Sequence, residues 1–461
     1  MKRKKILFVS YYYPPAAGQA LPGTQRSVKF IRYMNRLDKY VLTIRPELYP
    51  DYFKLDHPGQ LPINGEEIIR TESYDVFQQL VSLKNKLLFR KNQPQPPDSE
   101  NSSGPAPKTS DGNNETESSL FQKAKDTVSE IMRYPDEANC WIWHAVKAGN
   151  ALIKKEGIDY VFATGKPWSA LLVAFLLKKK NAQLVIDFRD PWVNNPFETQ
   201  YSGFRKKADD FFERKIVQKA DWVVLNTDDL RTEFLTRYSK EAKEKFITLT
   251  NGFDEADFTK KGQKTKDKKK NGDDSTLVLT HAGLLYGLRD PISIFKALEQ
   301  YYLQHEKAND DHITFQQLGD ITLDYDYQKY AGTASNKKIF DNVGQVPYNT
   351  CLDYLAQSDV LLIIQPDTKT QIPSKLFEYI FLKKPILTIA PLDGALAVMI
   401  QKYNFGDIYD PKDIDGITKY FIAKVAEKKV KGYLNVEYIN KDKFDVKNIT
   451  AELENLLLNE S

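Results

Sequence analysis

Short, continuous apolar runs punctuate this chain, and the segments between them repeat with helical periodicity. The runs are Ile6 to Val9, Val41 to Ile44, Tyr160 to Ala163, Leu184 to Ile186, Trp222 to Leu225, Leu277 to Leu279, Val360 to Ile364 and Ile386 to Ile389. An apolar run too short for a helix marks a strand buried on both faces. Ser27 to Leu37, Arg205 to Lys219, Ile292 to Gln304 and Tyr348 to Gln357 carry the helix period. Strand and helix in alternation give parallel sheets covered on both sides. The expected fold class is therefore α/β. With 461 residues the chain exceeds one ordinary core, and its halves read as two separate doubly wound units.

Composition removes several classes. A net charge of +4 makes no case for nucleic acid as a partner. Cys140 and Cys351 stand far apart, which argues against a disulfide framework and fits a reducing cytoplasm. Ile6 to Ser10 is too short for a signal-peptide core, and the longest apolar stretch, Ala170 to Leu177, is too short to span a bilayer.

Three segments interrupt the alternation. Residues 91–119 hold Gln-Pro-Gln-Pro-Pro and Asp-Gly-Asn-Asn with almost no apolar content, and are expected to be a disordered insertion. Lys260 to Lys270 contains seven lysines and one Asp and reads as an exposed loop or a polybasic membrane contact. Gln78 to Arg90 is a basic amphipathic helix that suits either the first core or a membrane surface.

Four constellations could carry chemistry. In Ile372-Pro373-Ser374-Lys375-Leu376-Phe377-Glu378-Tyr379-Ile380, Pro373 and Ser374 are helix-start signals, with Ser374 as N-cap. Leu376, Phe377, Ile380 and Phe381 share one arc, and Ser374, Lys375 and Glu378 the other. Lys and helix N–H groups suit phosphate, and a carboxylate suits ribose hydroxyls. A solvated Lys/Glu face fits the same spacing. Gly18 and Gly23 lie in a small-residue loop before a helix from about Thr24, where backbone can approach a ligand closely. Asp187-Phe188-Arg189-Asp190-Pro191-Trp192 follows a strand, with carboxylates placed for acid/base work or for an ion pair with Arg189. After Leu277 to Thr280, Gly283 forms a turn and Arg289 precedes a helix, an arrangement suited to a diphosphate. No spacing suits a metal site, a Gly-x-Ser-x-Gly nucleophile or a phosphate-binding Gly-x4-Gly-Lys loop.

Taken in order, Ile6 to Arg26, Asp187 to Trp192, Asn251 to Asp254, Gly283 to Pro291 and Pro373 to Ala390 resemble family 4 glycosyltransferases of the glycosyltransferase B fold. The likeness is to the bacterial branch with an Asp-Phe-Arg-Asp-Pro-Trp signature. It implies two Rossmann-like domains facing across a cleft. Residues 1–253 would hold the acceptor and 254–275 would link. Residues 276–435 would hold a nucleotide-sugar, and the helix in 436–461 would return to the first domain. Glu378 would bind ribose, Arg289 and Lys375 would neutralise the diphosphate, and Gly18 to Gly23 would close on it. Ser374 and Gly283 belong to the same donor site, and Asp187 and Asp190 are polar contacts for acceptor or sugar. Leu284 stands where many members carry Arg, Thr370 where they carry a first glutamate, and Arg189 where they often carry His.

The expected activity is metal-independent, retaining hexosyl transfer from a UDP- or GDP-sugar. The acceptor is a glycan or lipid-linked hydroxyl in surface polysaccharide or glycoconjugate synthesis. No cofactor is expected beyond the donor. The location is cytoplasmic, with a possible peripheral place at the inner membrane surface. A nucleotide-sugar 2-epimerase and a non-catalytic binding protein of the same fold are the alternatives.

Overall fold

A computed structural model describes residues 2–15, 22–49, 61–73, 130–195, 202–259, 276–304, 312–330, 332–334, 337–369 and 371–459. The proposed helix 78–90, the insertion 91–119, the Lys-rich 260–270, Gly18 and Thr370 lie outside them.

The first sheet contains β1 (Lys5–Val9), β2 (Asp38–Ile44), β3 (Glu67–Thr71), β4 (Tyr160–Gly165), β5 (Gln183–Phe188), β6 (Trp222–Leu225) and β7 (Phe246–Thr248). Their order is β3-β2-β1-β4-β5-β6-β7. β1 pairs in parallel with β2 on one side, Lys5 opposite Asp38, and with β4 on the other, Ile6 opposite Tyr160. The helices are α1 (Pro22–Tyr33), α2 (Ile142–Glu156), α3 (Trp168–Leu177), α4 (Gly203–Lys219) and α5 (Asp228–Arg237). Ala170 to Leu177, the longest apolar stretch, belongs to α3, most of which is buried. α1 begins at Pro22, earlier than the expected Thr24, because proline suits the first helical position.

After α6 (Glu255–Thr259), the second sheet has β8 (Thr276–Ala282), β9 (His312–Leu318), β10 (Phe340–Gly344), β11 (Val360–Ile364), β12 (Ile386–Ile389) and β13 (Asp407–Tyr409). Their order is β10-β9-β8-β11-β12-β13, with every pairing parallel. The remaining helices are α7 (Ile292–Gln304), α8 (Tyr348–Gln357), α9 (Lys375–Leu382), α10 (Ala395–Tyr403), α11 (Ile414–Lys431) and α12 (Val446–Leu458). β11 shows why its apolar run is continuous. Leu361 and Ile363 enter one core cluster, and Val360, Leu362 and Ile364 enter another. Side chains alternate along a strand, so both faces are dry.

Backbone contacts divide the chain into two compact units, 1–18 with 38–223, and 19–37 with 224–461. The second unit thus includes α1, whose partner is α12. The Arg36 N–H donates to Glu454 Oε1 at 2.7 Å, and Tyr33 Oη donates to the fully buried Asp254 at 2.5 Å. Among the described residues no helix is long and apolar enough to cross a membrane.

Candidate functional site

In the second sheet the chain moves outward from β8 in both directions, first to β9 and later to β11. The carboxyl ends of β8 and β11 therefore flank a crevice with no crossover over it, where open α/β sheets bind ligands. A cavity of about 640 Å³ lies within the second unit and opens on this point. Gly283, Ser374, Lys375 and Glu378, all expected from the sequence, line it.

Backbone geometry builds the floor. Gly283 has φ +133°, and its N–H donates to the Leu318 carbonyl at 2.7 Å. A Cβ there would land on Lys375 Nζ. Gly319 has φ +123°, and a Cβ on it would meet the Gly283 carbonyl oxygen at 2.6 Å. Neither position accepts another residue without displacement. Gln317, fully buried, donates from Nε2 to the Gly283 carbonyl at 2.6 Å, and its Oε1 lies 2.8 Å from His281 Nδ1. Burial, then the nearby Lys375 charge, lowers the His281 pKa to about 3, against the hydrogen bond to Gln317. The ring is neutral at pH 7 and serves as a structural prop.

α9 forms the wall. Leu376, Phe377, Tyr379 and Ile380 are buried, and each large apolar side chain contributes about 1.5–3 kcal/mol. Lys375 and Glu378 are left facing the cavity. The Ser374 side chain does not cap this helix, because the residue already has helical φ and ψ and its hydroxyl makes no capping bond. The Leu376 and Phe377 N–H groups instead donate to the Pro373 and Ser374 carbonyls, both at 3.1 Å. These two expected phosphate donors are therefore already occupied.

Lys375 Nζ donates to the Ala282 carbonyl, which uses one of its three hydrogens. Burial first, and then repulsion from Arg289, holds its pKa down to about 8, against the attraction of Glu378. Burial raises the Glu378 pKa, while Lys29, the hydrogen bond from Tyr348 and Lys375 pull it down. Tyr348 Oη donates to Glu378 Oε1 at 3.1 Å. Cys351, a free thiol in the same wall, is pushed up to about 11 by burial. Arg289 does not line the cavity, but its charge reaches Lys375 and His281. It sits 5.8 Å from the Tyr286 ring centroid.

α1 supplies two cations that the sequence did not single out as site residues. Arg26 is buried and donates to the Leu249 carbonyl at 2.7 Å, the Thr250 carbonyl at 3.0 Å and Asn251 Oδ1 at 3.2 Å. Lys29 pairs with Asp257 at 3.2 Å. Both line the cavity. Gly23 falls in the first turn of α1 rather than in the loop before it.

Asp187 and Asp190 belong to the first unit, Asp187 fully buried in β5 and Asp190 half-buried beyond it. The rest of that motif is mechanical. Arg189 donates from Nε to the Gly165 carbonyl at 2.8 Å and from a terminal nitrogen to Lys166 at 2.9 Å. Trp192 stacks on Trp168, centroids 5.1 Å apart, and its indole N–H donates to Asp209 at 2.9 Å.

Residues 133–250 match the model of the glycosyl transferase 4-like domain. No curated protein matches the chain by sequence. Among solved structures, a glycosyltransferase from Rickettsia africae is 12% identical over 100% of both chains, with TM-score 0.55. HepE from Anabaena, in complex with UDP, is 14% identical over 99% of this chain and 100% of its own, with TM-score 0.56. A sucrose-phosphate synthase from Thermosynechococcus elongatus is 13% identical over 99% of both chains, with TM-score 0.54. The chain therefore has the glycosyltransferase B fold, with two Rossmann-like sheets, and residues 133–250 are similar to a glycosyl transferase 4-like domain.

Proposed function

We propose that this protein is a retaining, metal-independent hexosyltransferase. It moves a sugar from a UDP- or GDP-sugar to a hydroxyl of a glycan or lipid-linked acceptor, in cytoplasmic synthesis of surface polysaccharide or glycoconjugate. The observation that carries the reading is the Gly283–Lys375–Glu378 cluster on a cavity at the switch point of the second sheet. Support also comes from Anabaena HepE, a protein of the same fold whose structures contain UDP and UDP-glucose.

The chemistry follows from charge. Breaking the sugar–phosphate bond puts negative charge on the leaving diphosphate and positive charge on the sugar, whose anomeric carbon bonds the acceptor oxygen on the same face while the hydroxyl proton passes to a phosphate oxygen. Lys375, with hydrogens to spare, stabilises the diphosphate directly, and Arg289, outside the cavity lining, adds the field of its charge. Glu378 accepts from ribose hydroxyls, exchanging the Tyr348 hydroxyl for them. Because Lys375 has a depressed pKa, an incoming diphosphate also holds its proton in place. The acceptor is assigned to the first unit, with Asp190, half-buried beyond β5, as its polar contact. Residues 18–23 are assigned to the donor phosphates.

A thermal-shift screen over UDP, GDP, ADP and their sugars tests this. A ligand at about 100 times its Kd stabilises by about 2.7 kcal/mol. A shift with one diphosphate and its sugar is expected. No shift with any of them contradicts the reading. With the donor identified, NMR of the product's anomeric centre checks retention, and chelator-insensitive turnover checks metal independence.

A further inference from the structure

α4 buries Ile216 and Val217 in its last turn, but before them it is built inside out. Its buried positions include Arg205, Asp209 and Glu213, while Phe204 and Phe211 stand 58% and 53% exposed. The inward charges are used. Arg205 pairs with Asp209 at 3.1 Å, Asp209 accepts from the Trp192 indole, and Glu213 accepts from the Val193 N–H at 2.9 Å. The core therefore accounts for the polar face and leaves the aromatic one unexplained.

That outer face has a definite chemistry. At about 100° per residue, Phe204, Lys207, Phe211, Arg214, Lys215 and Gln218 fall within an arc of roughly 100°. Lys207 and Lys215 are exposed, and Lys215 Nζ lies 5.9 Å from the Phe211 ring centroid. The cationic character continues past the helix end. Lys219 donates to the Phe175 carbonyl at 3.0 Å, and its pKa is lowered by burial and then by crowding from Lys179 and Lys178. Lys179 and Lys180 are exposed beside Leu176, itself 46% exposed.

We propose that this face of the first unit is a docking surface for an anionic lipid bilayer. Two aromatic rings can enter the headgroup boundary, while the lysines extend along their stems toward lipid phosphates. A second copy of the chain fits poorly, because it would bring the same cations face to face. A nucleic acid fits poorly too, because the rings stand on a convex helix rather than in a groove that follows a backbone. The inference uses no residue of the donor site and stands whether or not the protein transfers a sugar.

Co-sedimentation of the full chain with vesicles tests it, comparing phosphatidylglycerol mixed into phosphatidylcholine with phosphatidylcholine alone. Binding to the anionic vesicles is expected, weakening in about 0.5 M salt as screening shortens to a few ångströms. Lys207→Gln with Lys215→Gln should lower partitioning about 25-fold, taking about fivefold per cation. Phe204→Ser with Phe211→Ser should lower it about tenfold. Lys419→Gln, on an exposed position of α11, should leave it unchanged. All of these positions are exposed, so melting temperatures should match wild type. Absence of binding to anionic vesicles overturns the proposal, as does binding that the α4 substitutions leave intact. It also fails if those substitutions change oligomeric state instead, or if a single-stranded oligonucleotide binds through the same residues more tightly than the vesicles.

Discussion

The two sheets share a strand order around their first strand, yet the carboxyl ends at their switch points are finished differently. In the first unit the described residues after β1 and β4 include aromatic rings, most of them at least partly buried. The Tyr11 ring lies 5.4 Å from Trp141 and 6.1 Å from Tyr49, and Tyr13 Oη donates to Glu66 at 2.7 Å. Arg189 occupies the carbonyls of Gly165 and Lys166. In the second unit the same position is lined by glycines and left open, with Lys375 and Glu378 on its wall. Strand order fixes where a crevice can form. The residues at the strand ends decide what lines it, aromatic rings among the described residues of one unit and glycines with a Lys/Glu pair in the other.

The contrast can be broken by substitution. The largest effect is expected for Gly283→Val. The positive φ costs about 1–3 kcal/mol and the side chain displaces Lys375, so calorimetry should show diphosphate affinity falling more than about 100-fold. Lys375→Met and Glu378→Gln each remove a charged hydrogen-bonding partner worth about 1.5–3 kcal/mol, so each should weaken binding roughly 10- to 100-fold with a smaller change in melting temperature. Arg189→Met should do the converse. The loss of bonds from a charged donor destabilises by about 1.5–3 kcal/mol in denaturant titration, with diphosphate affinity within about twofold of wild type.

A pH titration sharpens the contrast further. Lys375 loses its proton near pH 8 in the free protein, and a diphosphate favours the protonated form. Affinity should therefore be full below about pH 8 and fall as pH rises above it, a dependence absent in Lys375→Met. For folding the sign is opposite. The depressed pKa costs stability below pH 8, and that cost is relieved as pH rises from about 8 toward the ordinary 10.5. The smallest effect is Ser374→Ala, within about 0.5 kcal/mol, because the hydroxyl makes no capping bond.

Elements buried on both faces were legible because nothing polar interrupts them. The run Trp222 to Leu225 became β6 and Ile292 to Gln304 became α7 without adjustment. β9 was missed. Its His312 and Gln317 break the apolar run, yet both are buried and hydrogen-bonded, Gln317 through the Gly283 carbonyl and His312 Nε2 at 2.9 Å from the Lys338 carbonyl. Gly319 was missed with it, although a glycine directly after a strand end was a usable signal. Arg189 was legible as a charge between two carboxylates but not as a brace for β4, because its partners are backbone carbonyls more than twenty residues upstream. Lys29 and Tyr348 carry no local motif. They join Glu378 only through long-range packing, which periodicity does not encode.

The claim that the second unit's switch point holds a nucleoside diphosphate is tested most directly by calorimetry. UDP and GDP should be titrated into the wild-type chain, Glu378→Gln and Arg189→Met. One nucleotide should bind wild type and Arg189→Met alike and bind Glu378→Gln at least about tenfold more weakly. Equal binding to wild type and Glu378→Gln, or no binding of either nucleotide to wild type, would contradict it.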